Sequence, residues 1–269
     1  MDGLLIADIS DAANPYEVGS WKAPDISAGI FVSGSYAYVA VGYDGLWIVD
    51  ISDPADPHEV GYLCTRGYAN DVFVSGSYAY VATREAGLEV VSVANPSGPK
   101  AVGACPTQGD ALSLVVSGSQ AYVTDRSYGL RVIDISDPSS PYVVGACYTP
   151  GKPAVGKGIF VSGSYAYVAD GEAGLQVVNI SDPAKPHQVG SCETPGYARQ
   201  VFVSGSYAYV VGSLSSKGWW LVVIDVSDPA TPHEMRYYDM PYAGDVFVSG
   251  PYVYVSSEGL LILRFSGLE

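Results

Sequence analysis

A repeated nine-residue sequence motif constrains the fold of this chain more than any other feature. VSGSYAYVA begins at Val32 and returns, almost unchanged, five more times. The shared tripeptide Val-Ser-Gly begins at residues 32, 74, 116, 161, 203 and 248, so the spacings are 42, 42, 45, 42 and 45 residues. A fixed period in the forties is typical of one propeller blade or of one pair of stacked helices. Because the repeats run the length of the chain, we expect one domain over residues 1–269.

Each repeat reads as four β-strands. In residues 70–110, the phrases DVFVSG and SYAYVA are rich in Val, Tyr and Phe, alternate with period two and are bounded by Gly, Ser and Pro. The stretch Ser75-Gly76-Ser77 predicts the tight turn between them, because glycine adopts a positive φ at little cost. GLEVVSV and PKAVGAC supply the third and fourth strands. No segment carries an apolar stripe at helical spacing, so the pattern predicts an all-β protein.

The loop between the third and fourth strands is equally repetitive. It reads ISDPADP at 51–57, ISDPSSP at 135–141 and ISDPAKP at 180–186. An Asp or Asn in this loop can accept a hydrogen bond from the backbone ahead of it, and the prolines stiffen the path. Proline beside the outermost strand also blocks pairing between sheet edges.

The third strands carry a family resemblance. With the loops that follow, they read LWIVDISDP at 46–54, LRVIDISDP at 130–138, LQVVNISDP at 175–183 and LVVIDVSDP at 221–229. These phrases resemble the LVIVD repeats found in bacterial and archaeal β-propellers. The resemblance implies a propeller of four-stranded blades and favours an extracellular or cell-surface location. It implies no defined activity, so function has to be argued from the residues.

First and second strands each occur six times, which predicts six blades. The chain begins with a third and a fourth strand, DGLLIADISDAANPYEVGSW, and ends with a first, a second and a third, GDVFVSGPYVYVSSEGLLILRF. We therefore predict a six-bladed β-propeller of four-stranded antiparallel blades, its ring closed by N- and C-terminal strands that share one blade. The count leaves one surplus third-type strand, either LLIADIS or LLILRF.

Features that recur in every repeat are interpreted as structural, because every blade needs them. All three histidines occupy one equivalent place, in DPHEV, KPHQV and TPHEM, which favours a packing or capping role over catalysis. Three of the four cysteines follow a repeated glycine by two residues, and we expect them to be small buried hydrophobes without disulfides. Cys64 follows its glycine by three residues and should face the other side of its strand.

The charge balance limits the partners. With 13 basic and 28 acidic residues the formal net charge is −15, which disfavours nucleic acid and anionic membrane. No apolar run approaches about 18 residues, and the start has no visible signal peptide. We expect a monomer that has no nucleic-acid partner and does not insert into a membrane.

The sequence contains none of the common catalytic motifs. The sequence has no GxSxG elbow, no P-loop, no GxGxxG after a strand and no HExxH, and its His, Cys and Asp residues lack metal-ligand spacing. We therefore predict no catalytic residue, no metal and no cofactor.

The repeats differ mainly in the loops between second and third strands and in the loops that enter a blade, together called the upper face. The fifth repeat has 26 residues between its Val-Ser-Gly and the next SDP-type proline, where its predecessors have 22, so GSLSSKGWW carries four extra residues. TPGKPAVGK, a loop of the adjacent blade between Pro138 and Val161, carries three. Polar and aromatic residues of this face, several aimed at the central channel, are the candidate ligand-binding residues: Tyr68, Asn70, Asp71, Lys157, Tyr197, Arg199, Gln200, Lys217, Trp219, Tyr242 and Asp245.

Three functions fit this pattern. The first is a non-enzymatic binding or scaffold module that offers its variable loops to a protein, peptide or glycan. The second is a hydrolase or lyase with an active site at the channel mouth, drawing on Asp71, Asp245, Arg199 and Tyr197. The third is a structural domain of a larger surface protein.

Overall fold

The computed structural model describes residues 3–151, 158–214, 218–257 and 259–264. All regular secondary structure in these residues is β-strand, numbered β1–β25 in chain order. The chain begins with a two-stranded antiparallel sheet of β1 (Gly3–Asp8) and β2 (Tyr16–Lys22).

Five sheets of four strands follow, and within each the strands are hydrogen-bonded in chain order. The first contains β3 (Ser27–Ser33), β4 (Tyr36–Val41), β5 (Gly45–Asp50) and β6 (His58–Leu63). The second contains β7 (Ala69–Ser75), β8 (Tyr78–Thr83), β9 (Gly87–Ser92) and β10 (Lys100–Cys105). The third contains β11 (Ala111–Ser117), β12 (Gln120–Asp125), β13 (Gly129–Asp134) and β14 (Tyr142–Cys147). The fourth contains β15 (Ile159–Ser162), β16 (Tyr165–Ala169), β17 (Leu175–Asn179) and β18 (His187–Cys192). The fifth contains β19 (Tyr197–Ser204), β20 (Tyr207–Ser213), β21 (Trp219–Asp225) and β22 (His233–Met240).

The final sheet has three strands, β23 (Val246–Ser249), β24 (Tyr252–Ser256) and β25 (Leu260–Arg264). All six Val-Ser-Gly tripeptides lie at a turn between a first and a second strand. The predicted all-β, six-bladed propeller of antiparallel blades is confirmed, with four strands in each of the first five blades and three described strands in the last. Both terminal third-type strands pair inside their own sheets, β1 with β2 and β25 with β24, so the blade shared by the two chain ends stays a prediction.

The chain forms two compact units, Met1–Val123 with Ile133–Val143 and Thr124–Val132 with Val144–Glu269. The single domain of the sequence analysis stays a prediction. In the first part, Tyr38 and Ile48 of one blade form a core with Val72 and Val74 of the next. In the second, Trp220 is fully buried in a core formed by β16–β17 and β19–β21. Because both faces of a blade are covered, the second strand reads as an almost unbroken apolar run, YAYVAV in β4.

The fourth-type strands β2, β6, β10, β14 and β18 each touch the proline loop of the blade that follows. A Cβ on Gly103 would overlap the carbonyl oxygen of Pro138 and lie 3.0 Å from Pro141 Cδ. The same approach recurs at other repeated glycines: Gly19 on Pro54, Gly61 on Pro96, Gly145 on Pro183 and Gly190 on Pro229. This contact explains both the glycine and the paired prolines of the repeat, because only a residue without a side chain allows the backbones to approach.

One inner strand departs from the pattern of burial. Ile30 and Val32 of β3 are 48% and 54% exposed. Their equivalents in β7, Val72 and Val74, are 2% and 6% exposed. The face of β3 that corresponds to a covered face in β7 is therefore open to solvent.

Candidate functional site

The blade of β19–β22 differs from the others at its upper end. In the first two blades the second and third strands stop pairing at Val41↔Gly45 and Thr83↔Gly87, and both glycines have a positive φ. In the fifth blade Trp220 occupies the place of that glycine, and the ladder continues for one more pair, Ser213↔Trp219. The extra length predicted in GSLSSKGWW therefore lengthens a hairpin and places Trp219 in the last pair of its ladder, which is called the tip below. Residues 215–217, with Lys217, lie outside the described residues.

A β-bulge directs Arg199 out of the ladder. Ala198 pairs with Gly212 and Gln200 pairs with Val211, which leaves Arg199 between them without a partner residue. The sequence analysis treated Arg199 and Gln200 as preceding the first strand, which was wrong because the bulge lets the strand continue beyond them to Tyr197. The same correction applies to Asn70 and Asp71, which lie inside β7.

Three of the predicted residues meet at this tip. The Arg199 Nε donates a hydrogen bond to Ser213 Oγ (3.1 Å), and the guanidinium carbon lies 4.8 Å from the centre of the Trp219 ring. The Trp219 and Tyr242 ring centres are 4.3 Å apart, with the planes tilted by 52°. Arg199 and Trp219 are half-buried, and Tyr242 is 39% exposed. Arg199, Ser213, Trp219 and Tyr242 are called the Arg199 cluster below.

The charge of the Arg199 cluster is not neutralised by a described residue. Arg66, by contrast, places its Nε 3.8 Å from Oε1 of the buried Glu89. Arg199 takes part in no such ion pair within residues 3–151, 158–214, 218–257 and 259–264. Its Nε donates to a neutral hydroxyl, so this hydrogen bond uses one of the five guanidinium N–H donors and brings no counter-charge.

The Tyr197 hydroxyl is held by an acidic partner. It donates to Glu172 Oε1 at 2.6 Å, and this hydrogen bond, with the negative charge of Glu172, raises the pKa of Tyr197. A tyrosine is ordinarily protonated at neutral pH, and a raised pKa strengthens this preference. Tyr197 is therefore a hydrogen-bond donor here.

Gln200 and Asp245 are candidate residues that lie outside the Arg199 cluster. Gln200 packs so closely on Gly158 that a Cβ there would overlap its Oε1. Asp245 precedes β23, and its Oδ1 accepts the N–H of Val246 at 2.8 Å. Its side chain reaches solvent but is crowded by protein atoms, and this desolvation raises the pKa of the carboxyl. Lys157 lies outside the described residues.

Tyr68 and Asn70, in the second blade, are joined by Arg84. The Arg84 guanidinium carbon lies 4.0 Å from the Tyr68 ring centre, and its Nε donates to Asn70 Oδ1 at 3.2 Å. Asn70 Nδ2 donates in turn to the carbonyl oxygen of Ala111 (2.9 Å). Tyr43, 69% exposed, contacts Tyr68 edge-on with ring centres 5.0 Å apart. These residues form a second stacked guanidinium, called the Arg84 group.

The Arg84 group repeats the geometry of the Arg199 cluster with the residues exchanged. Arg84 and Ser213 each follow the valine of their Val-Ser-Gly by ten residues, while Asn70 and Arg199 each precede it by four. In both blades these two positions are joined by an arginine Nε hydrogen bond. The sequence analysis did not place Arg84 or Ser213 in the site, although aligning the repeats position by position would have paired both.

Asp71 is occupied by backbone and hydroxyl donors. Its Oδ2 accepts the hydroxyl of Ser113 (2.6 Å) and the N–H of Leu114 (3.0 Å), and its Oδ1 accepts the N–H of Val72 (2.9 Å). These bonds join the first strands of two successive blades. A structural role accounts for this carboxylate.

The repeated loops between third and fourth strands are formed by local hydrogen bonds. Asp50 Oδ1 accepts the N–H of Ser52 (2.8 Å), and Asn179 Oδ1 accepts that of Ser181 (2.9 Å). Each histidine is exposed, with its Nδ1 beside the backbone carbonyl two residues earlier: His58, His187 and His233. In the described residues, no His, Cys, Asp or Glu group is arranged to hold a metal ion, and no helix is long and apolar enough to cross a membrane.

The cysteine predictions are confirmed. Cys105, Cys147 and Cys192 are buried, Cys64 is exposed, and all four are free thiols. Burial raises the pKa of the three buried thiols, which disfavours reactivity.

Comparison with solved structures places the fold among β-propellers. A functionally unknown protein from Desulfotomaculum acetoxidans DSM 771 superposes with a TM-score of 0.77 at 15% identity, over 93% of this chain and 86% of that one. A chain of the Mitotic Checkpoint Complex gives 0.76 at 12% identity, over 98% and 83%. The Cps50 (Swd1) β-propeller domain of Myceliophteria thermophila gives 0.70 at 12%, over 93% and 87%. At these identities the likeness shows the fold alone.

Sequence comparison gives the family. No curated protein sequence matches the chain. The model of the LVIVD repeat matches seven segments that together cover nearly all of it: 1–23, 26–65, 66–107, 108–149, 156–194, 195–240 and 242–266. These include the third-strand phrases on which the resemblance was based, and the chain therefore belongs to the LVIVD repeat family.

Proposed function

We propose that this protein is a non-enzymatic binding module that presents its upper face to a protein or peptide, with the Arg199 cluster as the principal contact. The observation that carries the proposal is that Arg199, Trp219 and Tyr242 meet at the blade whose hairpin is lengthened by the pair Ser213↔Trp219. Recognition scaffolds commonly combine rigid strands with a loop or hairpin that differs from its equivalents, and this blade has that arrangement.

The residue types suit an interface. Trp, Tyr and Arg are the residues most often found at energetic hot spots, because they bury large areas and offer directional donors. Ser213 and Trp219 fix the Arg199 side chain before any partner arrives, so less side-chain entropy is lost on binding.

Two other functions receive less support. A hydrolase or lyase using Tyr197 as a base would need a lowered pKa, whereas Glu172 raises it. The Asp71 carboxylate, a second member of that hypothesis, is engaged by Ser113 and Leu114. A purely structural domain of a larger surface protein would not need a stacked arginine at a lengthened tip. A glycan partner is also weaker, because the indole ring that a sugar would stack on already contacts Arg199 and Tyr242.

The test is a selection of displayed peptides and small protein domains on the immobilised wild-type chain, followed by binding measurements on variants. We expect selected ligands to lose about tenfold or more in affinity for Trp219→Ala and for Arg199→Ala. Two matched controls remove an exposed side chain outside the cluster, Tyr62→Ala and Arg236→Ala. Ligands that lose affinity equally for all four variants, or a selection without ligands, would contradict the proposal. A glycan array run in parallel decides between peptide and sugar.

A further inference from the structure

We infer that the Arg199 cluster recognises a carboxylate group on a peptide partner. This inference rests on the proposed binding function and adds the chemistry of the group that is bound. Three observations support it: the contacts that hold the guanidinium, the lack of an ion pair with a described carboxylate, and the charge and side chains around the cluster.

The way Arg199 is held leaves its carboxylate-binding edge available. A guanidinium has five N–H donors in a planar fork, and it binds carboxylates through pairs of parallel hydrogen bonds. Ser213 Oγ accepts from Nε only, and the flat face lies against Trp219. Among the described residues, no hydrogen-bond acceptor is assigned to the terminal Nη groups.

The anchor of Arg199 is a neutral group although the chain is acidic. Twenty-eight acidic residues face 13 basic ones, so carboxylates to neutralise an arginine are abundant. Arg66 lies near one at 3.8 Å, yet Arg199 is anchored by a serine hydroxyl and Arg84 by an asparagine oxygen. Arg84 directly follows a second strand, β8, whereas Arg199 lies in a first strand, β19. In both cases the Nε donates to a neutral oxygen and the guanidinium lies over an aromatic ring. Arg199 therefore combines a side chain that is held in place with terminal donors that no described carboxylate occupies.

The surroundings favour a carboxylate over a phosphate. The net charge of −15 on the chain repels a dianion more strongly than a monoanion, and a single guanidinium offsets only one of the two charges of a dianion. The planar fork also matches a planar carboxylate with two parallel bonds. Tyr242, 39% exposed beside Trp219, offers an apolar surface to the residue that neighbours the bound group. An acidic residue or chain end next to an apolar side chain fits this site.

The experiment follows the Trp219 indole N–H resonance in the full-length 15N-labelled protein. The chain has four tryptophans, and Trp219→Phe assigns the signal by its loss. Four probes are titrated separately to about 50 mM, a range that detects millimolar binding: N-acetyl-Leu-Glu-amide, N-acetyl-Leu-Gln-amide, N-acetyl-Leu-Ala with a free carboxylate, and inorganic phosphate. We expect a saturable shift with the glutamate peptide, the free-carboxylate peptide or both, and none with the glutamine peptide. A response to one carboxylate probe alone identifies a side chain or a chain end as the source.

Matched variants separate recognition from general charge. Arg199→Gln should abolish the response, and Arg199→Lys should weaken it about tenfold because a point charge replaces the fork. Arg236→Gln removes the same charge from an exposed site on β22 and should bind as the wild type does. The inference is overturned if no carboxylate shifts the resonance, if phosphate or the glutamine peptide shifts it equally, or if Arg199→Gln still responds. Selected ligands that need Trp219 but tolerate loss of every carboxylate would overturn it while leaving the proposed function intact.

Discussion

At the scale of single residues, the same amino acid serves two different physical needs. Gly103 is required by space, since a Cβ there would meet the backbone of Pro138. Gly118 is required by conformation, since its φ is +60° while nothing lies within 4 Å of where a Cβ would stand. The sequence predicted the turn glycines from their setting, but not the contact of the fourth-strand glycines with the proline loops. That contact joins different blades, and no pattern within one repeat reveals it.

Gly103→Ala should therefore be among the more damaging small substitutions. Inserting a methyl group between two packed backbones costs about 1–3 kcal/mol, and the carbonyl of Pro138 cannot rotate away as a side chain can. The measurement is the midpoint of urea unfolding. Gly98→Ala is the control, because the added methyl would meet only the end of the Asn95 side chain at 3.2 Å. Equal midpoints for the two variants would count against the contact.

At the scale of elements, the strands were predictable and their ends were not. The unit proposed for residues 70–110 corresponds closely to β7–β10, because alternation and glycine turns are local signals. The bulge at Arg199 and the extra pair Ser213↔Trp219 were missed. Whether a ladder continues past an unpaired residue depends on neighbouring strands, so the sequence predicted the residues of the Arg199 cluster but not their contacts.

The Val-Ser-Gly hairpin is one element used six times, and its glycine should behave alike in each copy. Gly118→Ala is expected to lower the free energy of unfolding by about 1 kcal/mol, the cost of placing a Cβ in the left-handed region. Gly118→Asn should cost less, because asparagine tolerates positive φ. Gly76, with φ of +58°, provides an independent copy of the experiment. Chemical denaturation of the four variants checks this, and an alanine variant as stable as the wild type would contradict it.

At the scale of the whole molecule, charge predicts how stability depends on pH. Hydrogen bonds from Ser52, Ser136 and Ser227 lower the pKa of the turn carboxylates, which are Asp50, Asp134 and Asp225. A carboxyl with a lowered pKa in the folded state stabilises that state above the unfolded pKa of about 3.9. The contribution is lost as pH falls through the folded pKa. Repulsion among the excess negative charges acts oppositely, and it weakens as pH falls towards the isoelectric point near 4.4.

We therefore expect maximal stability near pH 5 and a steep fall towards pH 3, with both values approximate. Urea midpoints at about pH 7, 5 and 3 in high salt, which screens the general repulsion, isolate the turn carboxylates. The triple variant Asp50→Asn, Asp134→Asn, Asp225→Asn should lose less stability between the two lower values. Its asparagines accept the same bonds without titrating, as Asn179 already does. An identical acid loss in the variant would mean that these turns are not responsible.

The exposed face of β3 gives a whole-molecule test of how the propeller is completed. Val32 and Val74 are equivalent residues, but they are 54% and 6% exposed. Because Val→Thr keeps the shape while adding a hydroxyl, Val74→Thr should cost about 1–3 kcal/mol and Val32→Thr less than about 0.5 kcal/mol, since a half-exposed hydroxyl can bind water. Urea unfolding of the two variants measures both. Equal large losses would mean that the β3 face is covered in solution, as the closing blade predicted from the strand count requires. Unequal losses would mean that β3 keeps an open apolar face. The sequence could not predict such a face, because strand counting assigns strands to blades without showing which surfaces they cover.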